Sequence, residues 1–189
     1  MFRILKNVEL YTPEYAGLKD ILTVYGKIAL ITDKIDTAQP LRPDVVDCSG
    51  MVAIPGFIDQ HVHITGGGGE QGPGSTIGPI CRDELVEAGI TTVVGLLGCD
   101  GVGKSMRELL MKARSLEAGG LTAFIYTGNY GVPPVTITGR VLTDIALIDK
   151  VIGAGEIAIS DHRSSCPTRN ELAKLAYEAL TGGMLGGKA

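Results

Sequence analysis

The chain has 189 residues, a formal net charge of −4, 44% hydrophobic residues and 20% charged residues. That balance belongs to a folded globular chain and excludes a disordered one. Lys and Arg are scattered, so no basic stripe argues for nucleic acid, and no apolar run reaches the roughly 20 residues of a membrane helix. Residues 1–7 carry positive charge with no apolar stretch behind them, so no signal peptide is read. Cys48, Cys81, Cys99 and Cys166 are widely spaced without a CxxC pair, which fits free thiols in a reducing cytoplasm.

Residues 1–53 read as a small β unit. Segments 20–25 and 27–32 flank Gly26, a hairpin signal, and segments 44–47 and 51–54 flank Ser49-Gly50 in the same way. The pattern changes after Pro55-Gly56. Residues 57–64 read as a strand, followed by a glycine-rich loop and a helix ending near Gly89. Segments 91–97, 121–127 and 157–160 read as further apolar strands. Helical periodicity covers 105–118, 143–152 and 170–180. Four strand–helix units in a row predict a parallel sheet covered by helices, either doubly wound or part of a (β/α)8 barrel. A whole barrel takes about 250 residues, so the remaining chain has room for about half of one.

His61 and His63 stand two apart on the first strand of that sheet, so both imidazoles point to one face. Together they can reach one metal ion, and imidazole suits zinc. The pair lies at the carboxyl end of the strand, where barrel enzymes build their sites. Two ordinary strand histidines are the plain alternative. Gly66 to Gly69 and then Glu70 follow at once, a loop able to wrap a small ligand or simply a flexible surface loop. Further on, Asp161-His162-Arg163 closes the fourth predicted strand and Glu156 stands just before it. A carboxylate at Glu156 could ligate or bridge metals, or be a solvated turn residue. The planar fork of Arg163 suits a ligand carboxylate, or a surface ion pair. His162 is a third ligand or a structural histidine.

A rival pattern is present. Residues 98–105 match G-x-x-x-x-G-K-[ST], the loop that cradles phosphates, and they follow a strand and open a helix. Lys104 would then hold phosphates and Ser105 a Mg²⁺ ion. That reading leaves the His61/His63 pair and the Gly66–Glu70 loop without a role; the alternative is a glycine-rich turn with an exposed lysine.

Asp47-Cys48-Ser49-Gly50, followed by Pro55-Gly56-Phe57-Ile58-Asp59-Gln60-His61-Val62-His63, resembles the opening of the amidohydrolase superfamily. Segments 64–70, 92–98, 126–130, 136–139 and 158–164 are similar to the isoaspartyl (β-aspartyl) dipeptidases, in order and over essentially the whole chain. The resemblance implies an α/β architecture. Residues 1–53 would be part of a small β-sandwich, and residues 54–189 the first half, about four βα units, of a metal-dependent (β/α)8 TIM-type barrel. It also implies two zinc ions in the complete protein, with His61 and His63 on one of them. Many members carry a carbamylated lysine as the bridging ligand on the fourth strand. Glu156 falls there, and its carboxylate offers two oxygens as a carbamate does. Gly68 and Glu70 fall where the family holds the substrate's amino group. Cys99 falls where it uses a threonine, a stronger hydrogen-bond partner than a thiol. Tyr130 falls on the catalytic tyrosine that polarises the scissile carbonyl, and Arg163 on an arginine that binds a substrate carboxylate.

The implied reaction is zinc-dependent hydrolysis of β-aspartyl dipeptides, with metal-activated hydroxide attacking the side-chain amide. The expected enzyme is cytoplasmic, takes a small dipeptide, binds neither nucleic acid nor membrane, and is a homo-oligomer when complete. The family's remaining zinc histidines and catalytic aspartate belong to later strands than the chain contains. The 189 residues alone are therefore expected to be inactive and poorly soluble. An amidohydrolase acting on a cyclic amide is one alternative and a phosphate-loop protein another. Glu70, Tyr130 and Arg163 discriminate, because a charged dipeptide needs them and a neutral ring does not.

Overall fold

The computed structural model of the protein describes residues 1–36 and 42–188. They fall into two compact units, Met1–Pro55 and Gly56–Ala189. In the first, β1 (Phe2–Tyr11) pairs antiparallel with β2 (Tyr15–Val24), which pairs antiparallel with β3 (Lys27–Thr32). The turn at Gly26 forms as expected. Tyr25 (φ 50°) and Gly26 (φ 80°) are both left-handed, the two-residue turn whose twist matches its strands.

The second expected hairpin does not form. β4 (Asp44–Asp47) and β5 (Val52–Ala53) both run parallel to β1, opposite Arg3 to Lys6 and opposite Glu9 and Leu10. The Asp47 carboxylate accepts from the Ser49 amide and hydroxyl, and the Met51 amide donates back to the Cys48 carbonyl. Ser49-Gly50 is thus a kink within one edge, not a chain reversal. Val8, Leu10, Ile21 and Cys48 make this unit's core. Beside it, the buried Asp20 accepts from the amides of Ile35 (2.8 Å) and Asn7 (3.0 Å). Burial opposes its charge, but these amides and Lys6 outweigh it and hold its carboxyl below the ordinary range.

The second unit opens with β6 (Phe57–Val62) and a short hairpin of β7 (Gly67–Gly68) and β8 (Thr76–Ile77). It continues through α1 (Arg82–Glu87), β9 (Ile90–Gly95), α2 (Met106–Ala118), β10 (Thr122–Thr127), α3 (Val141–Leu147), β11 (Val151–Ala154) and α4 (Arg169–Gly186). The sheet is parallel in the order β6-β9-β10-β11, the order of the chain. A doubly wound sheet reverses its strand order at a switch point. Sequential neighbours throughout, each linked by a helix, are a wedge of a (β/α)8 barrel.

Met106, Leu109, Ala113 and Leu116 recur on one face of α2 and are buried over the sheet with Val93, Ala123, Ile125 and Val151. Ser105 caps this helix by accepting from the Glu108 amide. At Gly182 of α4 a β-carbon would lie 2.8 Å from the Leu142 carbonyl oxygen, so only glycine lets α4 come this close to α3. All four cysteines are free. Among the described residues no helix is long and apolar enough to cross a membrane.

Three element bounds differ from expectation. The fourth strand is β11 at Val151–Ala154, not 157–160. It starts early because α3 stops at Leu147: Ile148 is already extended and the Val151 amide turns back to its carbonyl. Residues 157–160 are rim loop, with Ile159 exposed. For the same reason α3 covers Val141–Leu147 in place of 143–152, while α4 runs on to Gly186 past the expected 180.

One buried carboxylate ties this rim together. Asp144 of α3 accepts from the Thr127 hydroxyl (2.5 Å), the Ile137 amide (2.9 Å), and the Thr138 amide (2.7 Å) and hydroxyl (2.6 Å). It joins the end of β10 to the far end of the loop that leaves it. Asp144→Ala would strand these donors in a buried site and is expected to destabilise the protein by about 3 kcal/mol. Urea unfolding measures this, and a loss below about 1 kcal/mol would contradict the assigned role.

Candidate active site

His61 lies within β6 and His63 directly beyond its carboxyl end, with ring centroids 5.4 Å apart. The early end of β11 carries Glu156 to the same rim. Its Oε2 stands 3.4 Å from His61 Nε2 and 4.0 Å from His63 Nε2. The donor atoms of His61, His63 and Glu156 all lie within 4.8 Å of one another. Zinc with bonds of about 2.0–2.2 Å holds its ligand atoms about 3.4 Å apart when tetrahedral, so the separations suit one ion. Two imidazoles and a carboxylate are also a suitable donor set. Glu156 Oε2 and His63 Nδ1 are buried without a hydrogen-bond partner, and a cation beside the oxygen would relieve that cost. Burial lowers the His63 pKa, against the pull of the Glu156 charge and with the push of His61, so the ring is held in the neutral form that ligates. By these tests the residues fit a divalent metal.

A cavity of about 210 Å³ opens beside the cluster, walled in part by His63, Gly68, Glu70, Cys99, Tyr130 and Arg163. The rim therefore brings together every residue expected at the site. Tyr130 follows β10. Its amide donates to the Gly98 carbonyl (3.0 Å) and its carbonyl accepts from the Ala158 amide (3.2 Å), so its backbone joins the loops after β9, β10 and β11. Burial and the Glu156 charge raise the Tyr130 pKa, with Arg163 opposing, which keeps the hydroxyl protonated and able to donate. The Cys99 thiol faces the Gly68 carbonyl at 3.9 Å. His162 is exposed and outside the histidine–glutamate cluster.

Sequence reasoning considered Asp161 only as the metal-binding aspartate of the phosphate-loop alternative, and the structure gives it a different place. Its two carboxylate oxygens meet Arg163 Nε (2.8 Å) and Nη2 (2.9 Å) side-on, and the Arg163 amide donates to it as well. These bonds hold the Asp161 carboxyl far below its ordinary range. The guanidinium lies 4.9 Å over the Tyr130 ring, and its Nη1 pairs with Glu70. An acid two residues before an arginine in a turn was the available signal. Among the described residues, a larger cavity of about 330 Å³, bordered by Pro133, Arg140 and Glu178, has no histidine–carboxylate cluster of this kind.

The phosphate-loop groups are already engaged. The Val102 and Gly103 amides donate to the Asp100 carboxylate at 3.2 and 2.6 Å, filling the cradle a phosphate would need. Lys104 donates to the Thr65 carbonyl (2.7 Å), and Ser105 caps α2. Gly98 of the same pattern instead packs against the histidine–glutamate cluster. It is left-handed (φ 68°), and a β-carbon there would lie 2.4 Å from His63 Cε1. Gly98→Ala is expected to displace the His63 ring and weaken zinc binding about tenfold or more, read by titration against a chromophoric chelator. Unchanged affinity would show that His63 is not a ligand.

Comparison with known proteins agrees with this geometry. The β-aspartyl dipeptidase of Fervidobacterium islandicum AW-1 is 48% identical and superposes with a TM-score of 0.94, over 99% of this chain and 51% of that one. Its complex with β-Asp-Leu dipeptide matches equally well. The dihydroorotase of Elusimicrobium minutum is 28% identical over 163 residues, 85% of this chain and 35% of its own length. The dihydropyrimidinase of Brevibacillus agri shares the fold at 17% identity and a TM-score of 0.59. No protein-family model matches the chain. The chain spans about half the length of the dipeptidase and about a third of the dihydroorotase. The chain is thus similar, over about half their length, to the β-aspartyl dipeptidases, and more distantly to other amidohydrolases.

Proposed function

We propose that the protein carrying this chain is a zinc-dependent hydrolase of β-aspartyl dipeptides. The observation that carries this reading is the meeting, on one rim, of a His61–His63–Glu156 cluster with an acid, a base and a protonated tyrosine around a small cavity. Glu70 suits a substrate ammonium and Arg163 a substrate carboxylate, each through charge-assisted hydrogen bonds. The Tyr130 hydroxyl is a donor for the oxygen of the scissile carbonyl, where negative charge develops. The backbone bonds of Tyr130 to the neighbouring loops hold that donor in place before substrate arrives. Glu156, with two oxygens, is the residue suited to sit between two ions, and His61 and His63 to hold one of them. Zinc bound there would lower the pKa of a water ligand and polarise the carbonyl. The likeness to a dipeptidase solved with β-Asp-Leu supports the substrate class.

The test uses the complete protein. Stripped of metal by a chelator and resupplied with zinc, it is expected to lose and then regain release of aspartate from β-aspartyl-leucine. Losing even a supporting contact to a metal ligand costs about 10–100-fold, so Glu156→Gln is expected to lower kcat/KM by about 100-fold or more. No release of aspartate from β-aspartyl-leucine with zinc present would sink the proposal. Turnover of a cyclic amide in its place would favour the alternative that the dihydroorotase match raises.

A further inference from the structure

Residues 98–105 match a phosphate-cradling pattern in letters, yet the lysine of that pattern is bonded elsewhere. Lys104 Nζ donates to the Thr65 carbonyl (2.7 Å) in a partly buried place, and makes no other hydrogen bond or ion pair among the described residues. Its own backbone is fixed on both sides. The Asp100 carboxylate takes the Val102 and Gly103 amides, and Ser105 caps α2. Thr65 is buried and its hydroxyl has no hydrogen-bond partner, so the bond to its carbonyl is what holds this residue. Thr65 stands in the turn directly after His63, where the Gly66 amide donates back to the His63 carbonyl (2.8 Å).

From this turn the chain enters the loop that walls the cavity with Gly67, Gly68 and Glu70. Gly66, Gly68, Gly69 and Gly72 all have positive φ. Such glycines bring no side chains to fasten the loop and lose the most freedom on ordering, so the fastening must come from outside. Among the described residues, two polar contacts join residues 65–72 to residues 98–105. One is the Cys99 thiol, a weak donor, 3.9 Å from the Gly68 carbonyl; the other is the charged donor Lys104. We propose that Lys104 is a positioning residue, a strap that fastens the glycine loop to the loop after β9 and so fixes the cavity wall before substrate arrives. Lys104 acts through the loop: Cys99 and Asp100 wall the cavity, and Lys104 does not. The inference rests on the dipeptidase reading only for the substrate used in its kinetic test.

Lys104→Met keeps the length of the side chain and removes the donor, and Lys104→Arg keeps a cationic donor. In hydrogen–deuterium exchange of the complete zinc-loaded protein, Lys104→Met is expected to speed amide exchange at residues 66–72 about tenfold or more, with β9 and α2 unchanged. Lys104→Arg is expected to stay close to the wild type. With β-aspartyl-leucine, Lys104→Met is expected to raise KM about tenfold and leave kcat within about twofold, because the binding lost is shared by substrate and transition state. A lysine that merely stabilised the fold would speed exchange throughout the sheet and lower the active fraction, leaving KM alone. Unchanged exchange at 66–72, faster exchange everywhere, equal loosening by Met and Arg, or turnover with KM unaltered would each overturn the strap. Exchange needs no substrate. Local loosening in Lys104→Met with no turnover by the wild type keeps the strap and removes the dipeptidase reading, and turnover with unchanged exchange does the reverse.

Discussion

Parallel strands all end on the same side of their sheet, and the site depends on that constraint. β6 delivers His61 and His63, the turn after β9 delivers Cys99, the loop after β10 delivers Tyr130, and the segment after β11 delivers Glu156 and Arg163. Residues nearly a hundred positions apart, such as Glu70 and Arg163, meet because successive strands are hydrogen-bonded neighbours. The rim is then fixed from both sides. Asp144 anchors it from below through buried donors, and the Tyr130 backbone links three adjacent loops at the level of the cavity. A low-dielectric sheet supplies rigidity there, and the loops supply chemistry.

The charges of the site form two groups that share Tyr130. One is the Glu156 carboxylate facing two imidazoles. The other is Arg163 between two carboxylates, Asp161 and Glu70. The Tyr130 hydroxyl senses Glu156 while its ring lies under the guanidinium. The histidine–glutamate cluster and the arginine with its two carboxylates thus sit side by side, with no ion pair between Glu156 and Arg163 among the described residues.

Much of this was legible in the residues. The His-x-His spacing placed both imidazoles on one face, and the Tyr25-Gly26 hairpin follows from turn chemistry. Other features were hidden for definable reasons. Ser49-Gly50 looked like a hairpin turn because local residues signal a bend but not its partner, and the partner on both sides is β1. The fourth strand was placed too late because Ile157-Ala158-Ile159 is as apolar as Val151-Ile152, and periodicity cannot rank two short apolar runs. That error put Glu156 before a strand, whereas it follows one. The phosphate-loop pattern at 98–105 was a true match in letters. Its amides are silenced by Asp100, a residue the pattern leaves unspecified.

The kink at Ser49-Gly50 has a further effect. It divides the β1-flanking edge into pieces of four and two residues, the first bounded by Asp44 and Asp47. A foreign strand needs a long, regular, uncharged ladder to dock against, and this edge offers neither length nor neutrality. The bend thus makes this one edge of the small sheet a poor template for strand addition.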